Sequence, residues 1–172
     1  QEMFTAAGAT MSACYRLDGA TFHLADGDYV LSETFTIPAS ANSTTYSVTI
    51  KGNGASKTIL NGNSACIVMK VGNYINLTLK GMALKNGSTS NGAGLYLAWG
   101  NKSSDGNSIV TCEDCFFASN KATGSGGALL SQQSATGGLA RFNNCIFESN
   151  SATKGAVLYT IGYTAFMFNK CT

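Results

Sequence analysis

At 172 residues the chain is long enough for one domain with a continuous core, and 12% charged residues stand against 44% apolar ones, 20 Gly and a single Pro. So few charges exclude long amphipathic helices, and so much apolar content with little net charge excludes disorder. A formal charge of +2 provides no field to draw in nucleic acid or an anionic membrane.

The chain opens at Gln1 with no initiator Met and no apolar h-region, as a mature form does after signal cleavage. Over residues 2–15, Phe4, Ala7, Met11 and Cys14 lie near one face of a short helix, weakened by Gly8, that would cap the N-terminal end of a core. Residues 1–18 are therefore read as a cap or arm, and 19–172 as the main domain. Thr21 to Leu24 and Gly27 to Leu31 read as strand, turn, strand. Thr34 to Ile37, Ser47 to Ile50, Thr58 to Leu60 and Ile67 to Val71 follow as further strands. No stretch of about 18 apolar residues occurs, so no membrane-spanning segment is expected.

Beyond Val71 a repeat emerges. Cys115-Phe116-Phe117-Ala118-Ser119-Asn120-Lys121-Ala122 matches Cys145-Ile146-Phe147-Glu148-Ser149-Asn150-Ser151-Ala152. Small-residue turns and apolar strands follow each: Gly126-Gly127-Ala128-Leu129-Leu130 and Gly155-Ala156-Val157-Leu158-Tyr159. A diverged copy runs from Leu77 to Leu84, then through Asn86-Gly87 and Gly92 to Leu97. Two-residue corners mark the repeats: Lys51-Gly52, Lys80-Gly81, Glu113-Asp114, Asn143-Asn144 and Asn169-Lys170, about 26 to 33 residues apart. Apolar residues alternate on both sides (Leu77 and Leu79, then Met82 and Leu84), as strands with one buried face require. The expected fold is all-β, a right-handed parallel β-helix of roughly six coils.

Gly19 to Tyr29, Val48 to Gly52, and Leu77 to Leu84 with Asn86-Gly87 resemble the pectin-lyase-like β-helix superfamily. The Phe-x-x-Asn-x-Ala and Gly-Gly-Ala pattern (Phe117 to Ala122, Gly126 to Ala128) is similar to repeats of chlamydial polymorphic membrane proteins and related surface proteins. The resemblance implies the architecture. It implies no single activity, because this fold hosts enzymes, adhesins and structural proteins. Enzymes of the superfamily cleave or epimerise acidic polysaccharides with clustered Asp residues and an Arg or Lys on the outer wall.

Here the nine carboxylates are scattered and only Glu113-Asp114 are adjacent, at a corner, where a solvated turn is the plainer reading. Arg16 and Arg141 are the only arginines, with Lys80 and Lys170 elsewhere on the wall, too sparse a set for a lyase groove. Asp26 and Asp28 flank Gly27 in a tight turn, and His23, the single His, has no second imidazole for a metal site or triad. No catalytic residue, metal site or cofactor is assigned.

The cysteines Cys14, Cys66, Cys112, Cys115, Cys145 and Cys171 are even in number, compatible with disulfides in an oxidising compartment. Cys112-x-x-Cys115 straddles a strand corner rather than opening a helix, which disfavours a redox motif. Cys115, Cys145 and Cys171 recur at one coil position, leaving open a bridge or a stack of buried thiols. A Cys14–Cys66 bridge would pin the cap to an early coil. Sequons at Asn42, Asn76, Asn86 and Asn101 point to N-linked glycans on a secreted or cell-surface protein.

Phe117, Phe142, Phe147, Phe166 and Phe168 fit inward ladder positions. Trp99 and Tyr96, beside the Gly/Asn/Ser-rich stretch from Gly100 to Ser108, are candidates for stacking on a sugar ring, or else pack the loop root. An ice-binding array is disfavoured because Thr44-Thr45 and Thr49 find no counterpart in later coils. Finally, the solenoid runs to Phe166, Phe168 and Cys171 in mid-coil, an apolar cross-section expected to be covered by another domain or by residues 1–18 of a next copy, stacked head to tail. The expected function is a non-catalytic extracellular structural or adhesive β-helix, a fibre subunit or a domain of a larger surface protein. A polysaccharide lyase or epimerase relative, or a glycan-binding module, is the alternative.

Overall fold

The computed structural model describes residues 18–40, 44–99, 108–133 and 138–172. Every strand of the described residues pairs in parallel with a strand roughly thirty positions away, and no helix occurs among them. The first coil contains β1 (Ala20–His23), β2 (Gly27–Val30) and β3 (Phe35–Ile37). The second contains β4 (Tyr46–Lys51), β5 (Thr58–Asn61) and β6 (Met69–Val71). The third contains β7 (Ile75–Lys80), β8 (Ala83–Lys85), β9 (Ser88–Asn91) and β10 (Leu95–Trp99). The fourth contains β11 (Ile109–Glu113), β12 (Phe116–Ala118), β13 (Lys121–Ser125) and β14 (Leu129–Gln133). The fifth contains β15 (Gly138–Asn143), β16 (Ile146–Glu148) and β17 (Leu158–Ile161), and β18 (Thr164–Asn169) opens another.

These strands stack into three walls. One is six-stranded, in the order β1-β4-β7-β11-β15-β18; two are five-stranded, β2-β5-β8-β12-β16 and β3-β6-β10-β14-β17; β9 and β13 form a short fourth pair. The result is a parallel β-solenoid of five full coils and the start of another, slightly fewer than the roughly six expected. The helix expected over residues 2–15 lies outside the described residues.

The period-two pattern puts alternate side chains inside. In β7, Ile75, Leu77 and Leu79 are buried while Asn76, Thr78 and Lys80 face outward. Register then turns inward residues into columns. Ile50, Leu79, Cys112, Phe142 and Phe168 share one column, and Leu60, Leu84, Phe117 and Phe147 share another. Phe117 stacks on Phe147 with centroids 5.0 Å apart, Phe142 stacks on Phe168 at 5.1 Å, and Phe142 meets Phe147 edge-on at 5.7 Å. All five expected phenylalanines thus face inward.

The corners explain their own polar composition. Their second residue adopts left-handed backbone in four successive coils: Gly81 (φ 60°), Asp114 (53°), Asn144 (53°) and Lys170 (53°). Asn and Asp tolerate that conformation better than β-branched or large apolar residues.

The Asn of the Phe-x-x-Asn-x-Ala motif has a definite task. Asn120 is fully buried; its Oδ1 accepts the Gly87 N–H at 2.9 Å, and its Nδ2 donates to the Leu84 carbonyl at 3.1 Å and to Asn150 Oδ1 at 3.0 Å. Asn150 repeats the arrangement one coil on, donating from Nδ2 to the Phe117 carbonyl at 2.8 Å while its Oδ1 accepts the Asn120 N–H at 3.1 Å. Gly87 leaves the space that brings the coils together, since a Cβ there would run into the Ala93 carbonyl oxygen. Replacing Asn120 by Ala should cost about 2–4 kcal/mol by denaturant unfolding, because the buried Gly87 N–H and Leu84 carbonyl lose their partner. Asn150→Ala, at a less enclosed site, should cost less; equal, negligible costs would contradict this role.

Candidate functional surfaces

The six-stranded wall carries the charged candidates. Lys51, Lys80, Glu113, Asn143 and Asn169 stand in register along its outer face. Lys80 Nζ donates to Glu113 Oε2 at 2.8 Å in a pair open to solvent, and this bond raises the Lys80 ammonium above its ordinary value. Asp114 accepts from Asn144 Nδ2 at 2.7 Å. Asp26 accepts from Asn53 Nδ2 at 2.8 Å, and Asp28 from Asn61 Nδ2 at 3.1 Å. Each of these carboxylates joins one coil to the next. Among the described residues no group of three or more His, Cys, Asp or Glu side chains could hold a metal ion.

Register also reveals a row that spacing had concealed. Thr21, Thr49, Thr78 and Thr111 are direct neighbours on the outer face, so Thr49 does recur, contrary to expectation. Unequal loop lengths hid the alignment. The row ends at Arg141, and the adjoining columns hold Lys51 and Lys80 on one side and Ile109 and Leu139 on the other, so no Thr-x-Thr lattice forms.

The thiols resolve into a stack without bridges. Cys66, Cys112, Cys115, Cys145 and Cys171 are all free, which corrects the disulfide expectation for these residues; Cys14 lies outside the described residues. Each corner thiol lies within hydrogen-bond distance of a carbonyl in its own corner and of one in the coil before it. Cys115 Sγ donates to Leu79 O at 3.6 Å, Cys145 Sγ to Cys112 O at 3.5 Å and Cys171 Sγ to Phe142 O at 3.3 Å. Bonding to the Cys112 side chain, together with burial, holds the Cys115 thiol well above its ordinary range. The Cys115 side chain and burial do the same for Cys145. Such thiols carry little thiolate and react slowly.

Trp99 faces inward and is 1% exposed, which removes it as a sugar platform: its place in β10 alternates with outward Tyr96 and Ala98. Tyr96 is half-buried on the outer wall, its hydroxyl donating to Gln132 Oε1 at 2.6 Å with the Lys70 ammonium 5.5 Å from its ring centre. Asn76 lies on the outer face of β7 with Oδ1 accepting the Ile109 N–H, and Asn86 uses Nδ2 to donate to Asn61 Oδ1. Asn42 and Asn101 lie outside the described residues.

Among the described residues, six of the seven exposed large hydrophobic side chains lie in or after the last full coil. Phe168 is 44% exposed although it occupies an inward column, and Phe166 and Cys171 are half-buried beside it. Ile146 (48%), Ile161 and Met167 add outward apolar surface around it. No family model, curated protein or solved structure matches this chain.

Alkylation by iodoacetamide under native conditions should modify Cys66 and Cys171 first, and Cys112, Cys115 and Cys145 only after unfolding; rapid native labelling of Cys145 would contradict the stack. Raised folded pKa values place the stabilising effect of neutral Cys115 and Cys145 fully below their unfolded value of 9.0, to be lost as pH rises beyond it. Melting temperature should therefore fall faster above about pH 9 in the native chain than in a Cys115→Ala/Cys145→Ala variant. Fluorescence of the single Trp should be blue-shifted, resist acrylamide quenching and be unchanged by added oligosaccharides.

Proposed function

We propose that this chain is a non-catalytic structural or adhesive β-solenoid that works outside the cell and associates end to end. The observation that supports this reading is the apolar face of the last described coil, where Phe168 on the Phe142–Phe168 stack is 44% exposed and β17 and β18 have no strand on their outer edges among the described residues; a further coil, of this chain or of a second copy, would cover it. Another parallel coil would bury the aromatic surface and complete the edge hydrogen bonds together, at about 25 cal/mol per Å² of apolar area removed from water. The resemblance of the Phe-x-x-Asn-x-Ala repeats to those of surface proteins favours an adhesive role over catalysis. So does the use of Asp26, Asp28, Glu113 and Asp114 as bonds between coils. Buried thiols with raised pKa are compatible with an oxidising compartment, because the thiolate that would form disulfides is scarce.

Sedimentation velocity over a dilution series, with negative-stain microscopy, should show rods that lengthen with concentration. Phe168→Lys should weaken association by roughly tenfold or more while the β-sheet circular dichroism is kept. Assays on polygalacturonate and alginate with Ca²⁺ should release no unsaturated product. Monomers at every concentration, or release of such product, would contradict the proposal.

A further inference from the structure

A column of sulfur runs through the core just inside the corners of the six-stranded wall. Equivalent ladder bonds (Phe116 N–H to Met82 O, Ile146 N–H to Cys115 O and Thr172 N–H to Cys145 O) place Met82, Cys115, Cys145 and Cys171 at successive levels of one column. Met82, Cys115 and Cys145 are buried, and buried Cys112 stands in the adjoining inward column. Another inward column carries hydrocarbon side chains throughout, with Leu60, Leu84, Phe117 and Phe147. Packing asks only for apolar volume, whereas soft thiolate and thioether donors are also the set that selects Cu(I).

Two of these thiols are disposed as a pair of ligands. Cys115 Sγ lies 3.6 Å from Leu79 O and 3.3 Å from Glu113 O. Cys145 Sγ lies 3.5 Å from Cys112 O and 3.4 Å from Asn143 O, the same two places one coil on. The side chains therefore share one orientation, with sulfurs separated by at most the strand spacing, about 4.8 Å. They also hydrogen-bond one another. A cation between them then lies within about 2.4 Å of each sulfur, the scale of a metal–thiolate bond, which is about 2.3 Å for zinc. Each cysteine follows an exposed corner residue, Asp114 or Asn144, so the pair sits a short way below the surface. Among the described residues no group of three or more His, Cys, Asp or Glu could hold a metal ion, which disfavours four-coordinate zinc and leaves room for a two-coordinate soft cation.

We propose that Cys115 and Cys145 form a two-coordinate site for a soft univalent cation of the Cu(I) class, clamped between the fourth and fifth coils. Binding exchanges two S–H bonds for two S–Cu bonds. Both protons leave to solvent, copper stays Cu(I), and the neutral pair of thiols becomes a complex with a single negative charge. Backbone hydrogen bonds at Met82 to Cys115, and at Cys115 and Asn143 to Cys145, favour charged sulfur and offset part of the cost of its burial. Neither end of the chain enters this site, which stands whether or not the solenoid associates end to end.

Anaerobic titration of the fully reduced chain with Cu(I), in competition with bicinchoninate and followed by absorbance, tests it. The native chain should retain one Cu(I), and Cys115→Ser or Cys145→Ser should each weaken its binding by about a hundredfold or more. Cys14→Ser/Cys66→Ser should keep native affinity, and Zn(II) should not displace the copper. X-ray absorption at the copper edge should show two sulfur neighbours and no nitrogen or oxygen, a readout on the native chain that serves even if a substitution prevents folding. Native affinity kept in Cys145→Ser would place the cation between Cys112 and Cys115 and overturn the assignment. Loss of all copper to bicinchoninate, or nitrogen and oxygen neighbours at the copper, would leave the column as core packing alone.

Discussion

Parallel strands bond only to the coil above and the coil below, and every other property of this molecule follows from that constraint. A single coil buries nothing on its own. Its inward residues become a core only when the next coil lays like side chains over them at about 4.8 Å. Columns such as Phe142–Phe168 and Phe117–Phe147 are therefore the unit of stability, rather than contacts between distant parts of the chain. The same rule leaves inward residues of the outermost described coil, Phe168 among them, exposed.

Polar side chains obey it too. Asn120 and Asn150 bond along the axis, as do Asn53 with Asp26, Asn61 with Asp28, Asn144 with Asp114 and Lys80 with Glu113. These groups are occupied in holding adjacent coils in register, which is why the wall offers little free acid for chemistry. Corner thiols reach the preceding coil in the same sense, and burial keeps them protonated.

Most of the architecture was legible in the sequence. Alternation in Leu77–Leu79 and Met82–Leu84, the corner dipeptides and the repeated Phe-x-x-Asn-x-Ala identify stacked strands without any need for coordinates. Register between coils was harder, because loops of unequal length shift the numbering. Thr21, Thr49, Thr78 and Thr111 align only once the strands are paired. For Trp99 the neighbouring polar loop left stacking on a sugar and packing both open, whereas its parity in β10 places it with Leu95 and Leu97 in the core. The cysteine column was legible as a column. Its state was not, because strand spacing suits a disulfide as well as a thiol bonded to a backbone carbonyl.

Hydrogen–deuterium exchange at low and high protein concentration tests the central claim most directly, because it reads protection strand by strand. Axial association predicts that concentrated protein gains protection in β16, β17 and β18 and in β1, β2 and β3, while β7 and β11 stay equally protected throughout. Unchanged protection at both ends, or a gain spread along the walls, would contradict it.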